Sequence, residues 1–458
     1  MSQLLVGWSY FVDLMSLNSP KPVARASFLQ AETKGLRGGS LSKSTGDWLC
    51  PFVGRLGILG SLLFAYIVLL PVQLKTDLGF RLAPSDGVLG VALLLSFARL
   101  KFKRGAWSLW HLGVLCIFSL GTLISGIRDG YLGQYALVQK DIGILMFFAT
   151  YAVVTNAATS WSKIRWFLRA FVVSAALYNL LALAGFLLSW LGILDFPWLN
   201  YGRFRLSGML IDPNAYGSLL LVVYTIHVAN QHNDASIGTG FLDTFLASTL
   251  VLGILLTFSR SAWLGLAAVF IVSSVVRPRL ALRIAVVAGF AIAIAFLALG
   301  RESRSFIYTM ATRPPGIEIR LDTTAEAVDM FAQSPIFGIG VGRFFETRGR
   351  IIHNTPLWIL TEFGLVGFAI FVGFVSSVLY RGWRAFRLAP DSERALVLGL
   401  VLAHVAMLGL SFGIEAFYQR HWWIVMALIG SAYSVEACRN YPEGMLTRAY
   451  VPLTENPR

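Results

Sequence analysis

The feature that most constrains this chain is a train of apolar stretches, running almost without pause from Arg55 to Val435. A bilayer's hydrocarbon core, roughly 30 Å thick, needs about 20 mostly apolar residues per crossing helix. Twelve segments meet or approach that length: 55–74, 85–100, 107–126, 139–157, 167–193, 213–230, 241–258, 261–276, 283–299, 355–379, 395–413 and 420–436. The second and eighth are short. Composition agrees with this reading: 56% of the 458 residues are hydrophobic, 14% are charged, and the mean hydropathy is +0.67. Soluble domains carry about a quarter charged residues. The expected fold is therefore an all-α integral membrane protein with about twelve transmembrane helices. One polytopic domain spans 55–436, flanked by tails at 1–54 and 437–458.

Positive charge sets the expected orientation, because short cytoplasmic loops are enriched in Lys and Arg. ARLKFKRG (98–105), SKIRWFLR (162–169), RPRLALR (277–283) and RGWRAFR (381–387) fall on alternate loops. With an even number of spans they share the cytoplasmic side with both termini. At the N-terminus, an apolar start interrupted by Asp13 leads into LRGGSLSKSTGD. That pattern reads as a disordered cytoplasmic tail, not a signal peptide. The net charge of +14 is explained by these loop clusters, so nucleic acid is not an expected partner. The three cysteines, Cys50, Cys116 and Cys438, show no metal or disulfide spacing.

The loops left facing outward include one long segment, 300–354, and long loops are often functional. Within it, Asp322 to Gln333 predicts a short amphipathic helix with Ala325, Val328, Met330 and Phe331 on its apolar face. Ser334-Pro335 stops it, and FGIGVGRF returns the chain to the membrane.

Arginine dominates the outward face: Arg203, Arg205, Arg260, Arg301, Arg304, Arg313, Arg320, Arg343, Arg348 and Arg350. Guanidinium forks pair bidentately with phosphate and carboxylate. An anionic ligand at the membrane boundary fits them, and a phosphate-bearing lipid has the right chemistry. The loop's own acids (Glu302, Glu318, Asp322, Glu326, Asp329, Glu346) are the competing partners. Arg260 stands apart, because TFSRSAW leaves it between two apolar spans, where an unpartnered cation is costly.

Six histidines occur, of which His353 and His421 fall on the outward face. His353, followed by Asn354, stands where the long loop meets the tenth span, and an imidazole there can take a proton near neutral pH. Asp212-Pro213-Asn214 reads as a helix start, with Asp212 also placed to orient a neighbouring arginine. Glu362 and Glu415 are isolated acids near apolar spans, and Glu362 is placed to brace a helix contact. No HExxH, DxD, cysteine pair, Walker or dinucleotide fingerprint points to a metal or cofactor. GIGVG at 338–342 lacks the strand–turn–helix setting such a fingerprint needs.

Four stretches resemble the O-antigen ligase and polymerase superfamily: TFSRSAWLGL (257–266), DPNAYG (212–217), PIFGIGVGRF (335–344), and HN followed by nine residues and GLVG (353–367). The resemblance covers roughly 55–435 and includes one large periplasmic loop before the HN pair. It implies a bacterial inner-membrane glycosyltransferase of metal-independent, GT-C-like helical architecture that works with inversion and without cofactor. The implied donor is a glycan on undecaprenyl diphosphate. The acceptor is a sugar hydroxyl on a lipid A–core glycolipid for a ligase, or on a second lipid-linked repeat unit for a polymerase. Carried onto this chain, His353 is the general base, and Arg260 and Arg320 are the foremost diphosphate ligands. Arg205 and Arg343 are further candidates, and Asp212, Asn214, Asn354 and Glu362 support them. Phe368 stands where the ligase pattern often has a hydroxyl-bearing residue, so acceptor choice stays open. A twelve-span transporter is the rival from another class. The longest loop, however, follows the ninth span rather than the sixth, and no repeat relates the halves.

Overall fold

The computed structural model describes residues 57–75, 81–97, 100–103, 105–130, 133–196, 198–201, 205–231, 240–299 and 314–440. The tail at 1–54, most of the tail at 437–458, the loop start at 300–313, and Arg203, Arg301, Arg304 and Arg313 lie outside them. Fourteen α-helices make up nearly all of the described chain. They are α1 (Gly57–Leu69), α2 (Pro84–Ser96), α3 (Leu109–Asp129), α4 (Ile142–Ala157), α5 (Trp161–Trp190), α6 (Pro213–Asn230) and α7 (Phe241–Leu256). The rest are α8 (Arg260–Val276), α9 (Pro278–Leu299), α10 (Pro314–Gln333), α11 (Arg343–Arg348), α12 (Thr355–Leu388), α13 (Asp391–Leu410) and α14 (Arg420–Asn440). A π-helical stretch, Tyr135–Asp141, leads into α4.

Each of the twelve apolar segments coincides with a helix. Among the described residues, five helical stretches are long and apolar enough to cross a membrane: Leu109–Asp129, Tyr135–Ala157, Trp161–Trp190, Thr355–Leu388 and Asp391–Leu410. Helices α1 and α2 have 13 residues each, which at 1.5 Å per residue is roughly 20 Å and short of a bilayer core. The protein is a mostly helical membrane protein.

Burial is sorted by position in the bundle. Helix α6 is enclosed along nearly its whole length and packs along α13, which in turn packs against α8 and α14. Peripheral helices instead turn large apolar side chains outward, among them Leu94, Phe290 and Leu181. In water such faces would drive association; against lipid tails they need no protein cover.

Two hairpins interrupt the helices. Strand β1 (Leu74–Lys75) pairs antiparallel with β2 (Arg81–Leu82), and β3 (Asn200–Tyr201) with β4 (Arg205–Leu206). The register Tyr201↔Arg205 fixes Arg205 ahead of α6.

The long loop departs from its expected form. Its helix, α10, begins eight residues before Asp322, at Pro314. Ser334-Pro335 ends it as expected. The buried face is Thr323, Ala327 and Met330, whereas Ala325 and Val328 are exposed. Helical spacing permits either face. Thr323 suits the inner one because its hydroxyl is satisfied within the helix by Ile319 O, at 2.6 Å. Thr361 Oγ1 donates to Ala327 O at 3.1 Å, which pins α10 against α12.

Candidate active site

Four chain connections meet at one end of the bundle: those entering α6, α8 and α12, and the one joining α13 to α14. Asp212 caps α6, its Oδ1 accepting the Asn214 N–H at 2.8 Å, with Pro213 in the first turn. Asn214 Oδ1 accepts from Arg205 Nη2 at 3.2 Å, and Arg205 Nε donates to Thr257 O at 2.9 Å. Arg205 thus ties β4 to the start of α6 and the end of α7. Its donors are committed to the scaffold.

Arg260 is the first residue of α8, placed by the Ser259 cap, whose Oγ accepts the Ala262 N–H at 3.3 Å. Just before it, Phe258 has φ +48°, and just before Asp212, Ile211 has φ +66°. Among the described residues these two are the non-glycine residues with positive φ. For a bulky or β-branched side chain this conformation is strained, and strain of this kind persists only where surrounding structure imposes it. Ile211 adjoins Asp212, and Phe258 stands two residues before Arg260.

Arg320, on α10, sends Nη1 to Gly413 O at 3.2 Å. Gly413 admits no side chain, since a Cβ there would lie 2.3 Å from Ser261 Oγ, beside Arg260. The same 411–416 segment holds the start of α12. Asn354 Nδ2 donates to Phe412 O at 3.3 Å, Thr355 N to Ser411 O at 2.8 Å, and Thr355 Oγ1 to Ile414 O at 2.8 Å. Asn354 also caps α12 through the Leu357 N–H. A backbone shelf therefore links Arg320, the root of Arg260, and His353.

Electrostatics show how close these groups are. His353 is open to solvent at its edge. Even so, the atoms packed around it strip enough hydration to lower its pKa; Arg320 lowers it further, and Asp212 opposes. Burial likewise lowers the Arg320 pKa, Arg260 adds to the effect, and Asp212 again opposes. Arg260, Arg320, Asp212 and His353 thus share one local field. Among the described residues neither Arg260 nor Arg320 has a carboxylate at ion-pair distance. Two cations facing one acid leave a site that favours an anion.

Arg348 and Arg350 pair with one of the loop's own acids, as the competing reading had it, whereas Arg343 pairs with an acid outside the loop. Arg343 Nε donates to Asp129 Oδ1 at 2.9 Å, and Arg350 Nη2 to Glu326 Oε1 at 2.9 Å, with Arg348 Nε 3.9 Å from the same carboxylate. Arg343 therefore braces α11 against α3.

Glu362 lies within α12, buried, and its Oε2 accepts the Gly342 N–H at 2.9 Å. Next to it the helix breaks at Gly364, φ +67°. The glycine-rich stretch satisfies the freed backbone groups: Ile339 N donates to Thr361 O and Gly340 N to Glu362 O, while Leu365 N and Val366 N donate to Pro335 O and Ile336 O. A Cβ on Gly364 would lie 2.4 Å from Ile336 C, and one on Gly338 2.3 Å from Glu362 C. GIGVG and GLVG are thus two halves of one backbone junction. It fixes where α12 starts, and so where His353 sits.

Sequence reasoning missed a buried ion pair, Lys140 with Glu415. The Lys140 ammonium also lies 4.5 Å from the Trp358 ring centroid and 4.6 Å from that of Tyr418, within cation–π range. Glu415 belongs to the shelf, so the pair anchors it. The signal was present: the fourth span opens on a lysine, on the side where Glu415 had been placed.

The remaining described histidines are internal. His421 Nε2 is 2.9 Å from Ser218 Oγ in a closed interior, and His404 Nε2 lies 3.2 Å from Val375 O. His111 and His227 are buried too. His353 alone among the described histidines is accessible.

No curated protein matches the sequence. Residues 245–372 match the family model described as O-antigen ligase. That window holds Arg260, Arg320, Arg343, His353, Glu362 and both glycine stretches, while Arg205 and Asp212 precede it. The matched segment is the one that builds the shelf's arginine and histidine side, and over these residues the chain is similar to the O-antigen ligase family.

Proposed function

We propose that this protein is an inner-membrane glycosyltransferase that moves a glycan from undecaprenyl diphosphate to a sugar hydroxyl on the periplasmic side. The observation that carries the reading is that Arg320 and Asp212 act on His353 while Arg260 acts on Arg320, with both guanidinium groups free of ion pairs among the described residues. In this reading the neutral His353 imidazole accepts the acceptor hydroxyl's proton. The resulting oxygen attacks the anomeric carbon, the bond to the diphosphate oxygen breaks, and configuration inverts. Arg260 and Arg320 take up the charge of the leaving lipid diphosphate, which supplies the electrostatic stabilisation such a step requires. Asp212 limits the positive field so that the product can leave.

The membrane reading that accompanies this has twelve crossings, residues 1–54 and 437–458 as cytoplasmic tails, and the 300–354 loop outside. Support comes from the coincidence of every apolar segment with a helix and from the basic clusters on alternate loops. The deciding experiment uses purified protein, an undecaprenyl-diphosphate glycan, and lipid A–core present or absent. Transfer that requires the core identifies a ligase. Chain growth without it identifies a polymerase, the acceptor choice that Phe368 leaves open. No transfer of either kind by wild-type protein would defeat the proposal.

A further inference from the structure

The end of the bundle away from His353 holds a buried guanidinium, Arg381, with an unpartnered amino group. Arg381 lies 26 residues beyond Thr355 on α12, roughly 40 Å along the helix. Only 5% of it is exposed, and Nη1 has no hydrogen-bond partner. The ionisable groups facing it among the described residues are His111, Tyr151 and Tyr433, none of them a carboxylate. A buried cation without a counter-charge is among the costlier arrangements in a protein.

Its neighbours are donors as well. His111 Nδ1 accepts from Ser108 N at 3.2 Å, which puts the ring hydrogen on Nε2, and Nε2 has no acceptor. Trp107 Nε1 also has none, and its ring lies 5.1 Å from that of His111 and 4.9 Å from that of Tyr151. Tyr151 donates its own hydroxyl to Ala106 O at 2.5 Å, and none of these N–H groups reaches its oxygen. Three buried N–H groups from α12, α3 and the segment before α3 therefore lack partners in one place. Lys101 and Lys103 precede Trp107 in the chain, and Arg384 follows Arg381 by one turn on the same face.

Several unpartnered donors around a buried guanidinium call for a ligand with several acceptor oxygens and negative charge. We propose that Arg381, His111 and Trp107 form a phosphate-binding site, remote from His353, that takes an anionic phospholipid headgroup or a free phosphate. The fork of Arg381 supplies the charge-assisted bonds, and the surrounding lysines and arginines raise the local concentration of anionic lipid.

The test is thermal unfolding of the purified full-length protein in nonionic detergent, titrated with phosphatidylglycerol, phosphatidylcholine or inorganic phosphate. Phosphatidylglycerol raises Tm and phosphatidylcholine does not. Arg381→Gln removes the increment, and Trp107→Phe weakens the apparent affinity by about tenfold, the worth of one charge-assisted hydrogen bond. Without lipid, Arg381→Gln unfolds no lower than wild type, since it deletes an uncompensated charge. If that variant does not fold, the Trp107→Phe comparison decides alone. An increment reproduced by inorganic phosphate assigns a free anion; one given by the lipid alone assigns the headgroup. Equal increments from both lipids, or an increment that survives both substitutions, overturns the site.

Discussion

Arg320 holds the carbonyl of Gly413 with one amino group and lowers the pKa of His353 with its charge. One side chain thus positions the shelf and keeps the imidazole neutral. At neutral pH a histidine held below its ordinary pKa of about 6.5 is ready to accept a proton.

The first prediction concerns pH. Transfer requires neutral His353, so kcat/KM falls as pH drops through its pKa. Because that pKa is lowered, the acid limb lies below the ordinary histidine value. Arg320→Gln removes a cation that favours the neutral form and moves the limb up. Asp212→Asn removes the opposing carboxylate and moves it down. His353→Ala loses about 100-fold or more, the usual worth of a positioned base, at normal protein abundance. A pH–rate series on the four proteins checks this, and an unmoved limb in both neighbours' variants would refute it.

Arg260 and Arg343 are distinguished by their partners. Arg343 is committed to Asp129, whereas Arg260 has no such acid among the described residues. Arg260→Lys should raise the KM for the lipid-linked donor about tenfold, because a point charge cannot reproduce a planar fork. Arg343→Lys should leave donor KM within a few-fold. Steady-state kinetics with varied donor measures both; a reversed order would assign the diphosphate to Arg343.

Strain at Ile211 is predicted to serve placement rather than stability. Ile211→Gly relieves a left-handed conformation worth about 1–2 kcal/mol, so Tm should hold or rise. Asp212 then loses its imposed direction and kcat falls. Unchanged kcat would show that the strain has no bearing on the site.

Gly364 has no substitute in the junction between α12 and the glycine-rich stretch. Gly364→Ala meets both a positive φ and backbone atoms 2.4 Å away. It should reduce folded yield sharply, even though alanine ordinarily strengthens helices. Folded yield and Tm in detergent report this, and a wild-type Tm would mean that the break can be straightened.

The Lys140–Glu415 pair yields a double-mutant test. Lys140→Met alone leaves a mostly buried carboxylate and should cost about 3–5 kcal/mol. Adding Glu415→Leu should recover most of that loss. Chemical unfolding of the three variants gives the coupling, and additive losses would show that the two side chains do not act as a pair.

The sequence alone determined the solvent of this protein and the place of its apolar helices. Apolar runs of bilayer length can be satisfied by helices and little else, and each of the twelve segments is a helix. Local chemistry also made the cap at Asp212 legible, because capping depends on residues two or three apart. What only the tertiary structure decided depends on packing between distant segments. The arginines of the long loop read alike in sequence, yet Arg343, Arg348 and Arg350 met acids and Arg320 did not. The inner face of α10 fell on Thr323, Ala327 and Met330, because contact with α12 overrode raw hydrophobicity. GIGVG and GLVG showed their purpose only when laid together, each glycine making room for the other's backbone. The chain listed its ionisable groups, but which ones would lose water and stand without partners was a matter of three-dimensional proximity.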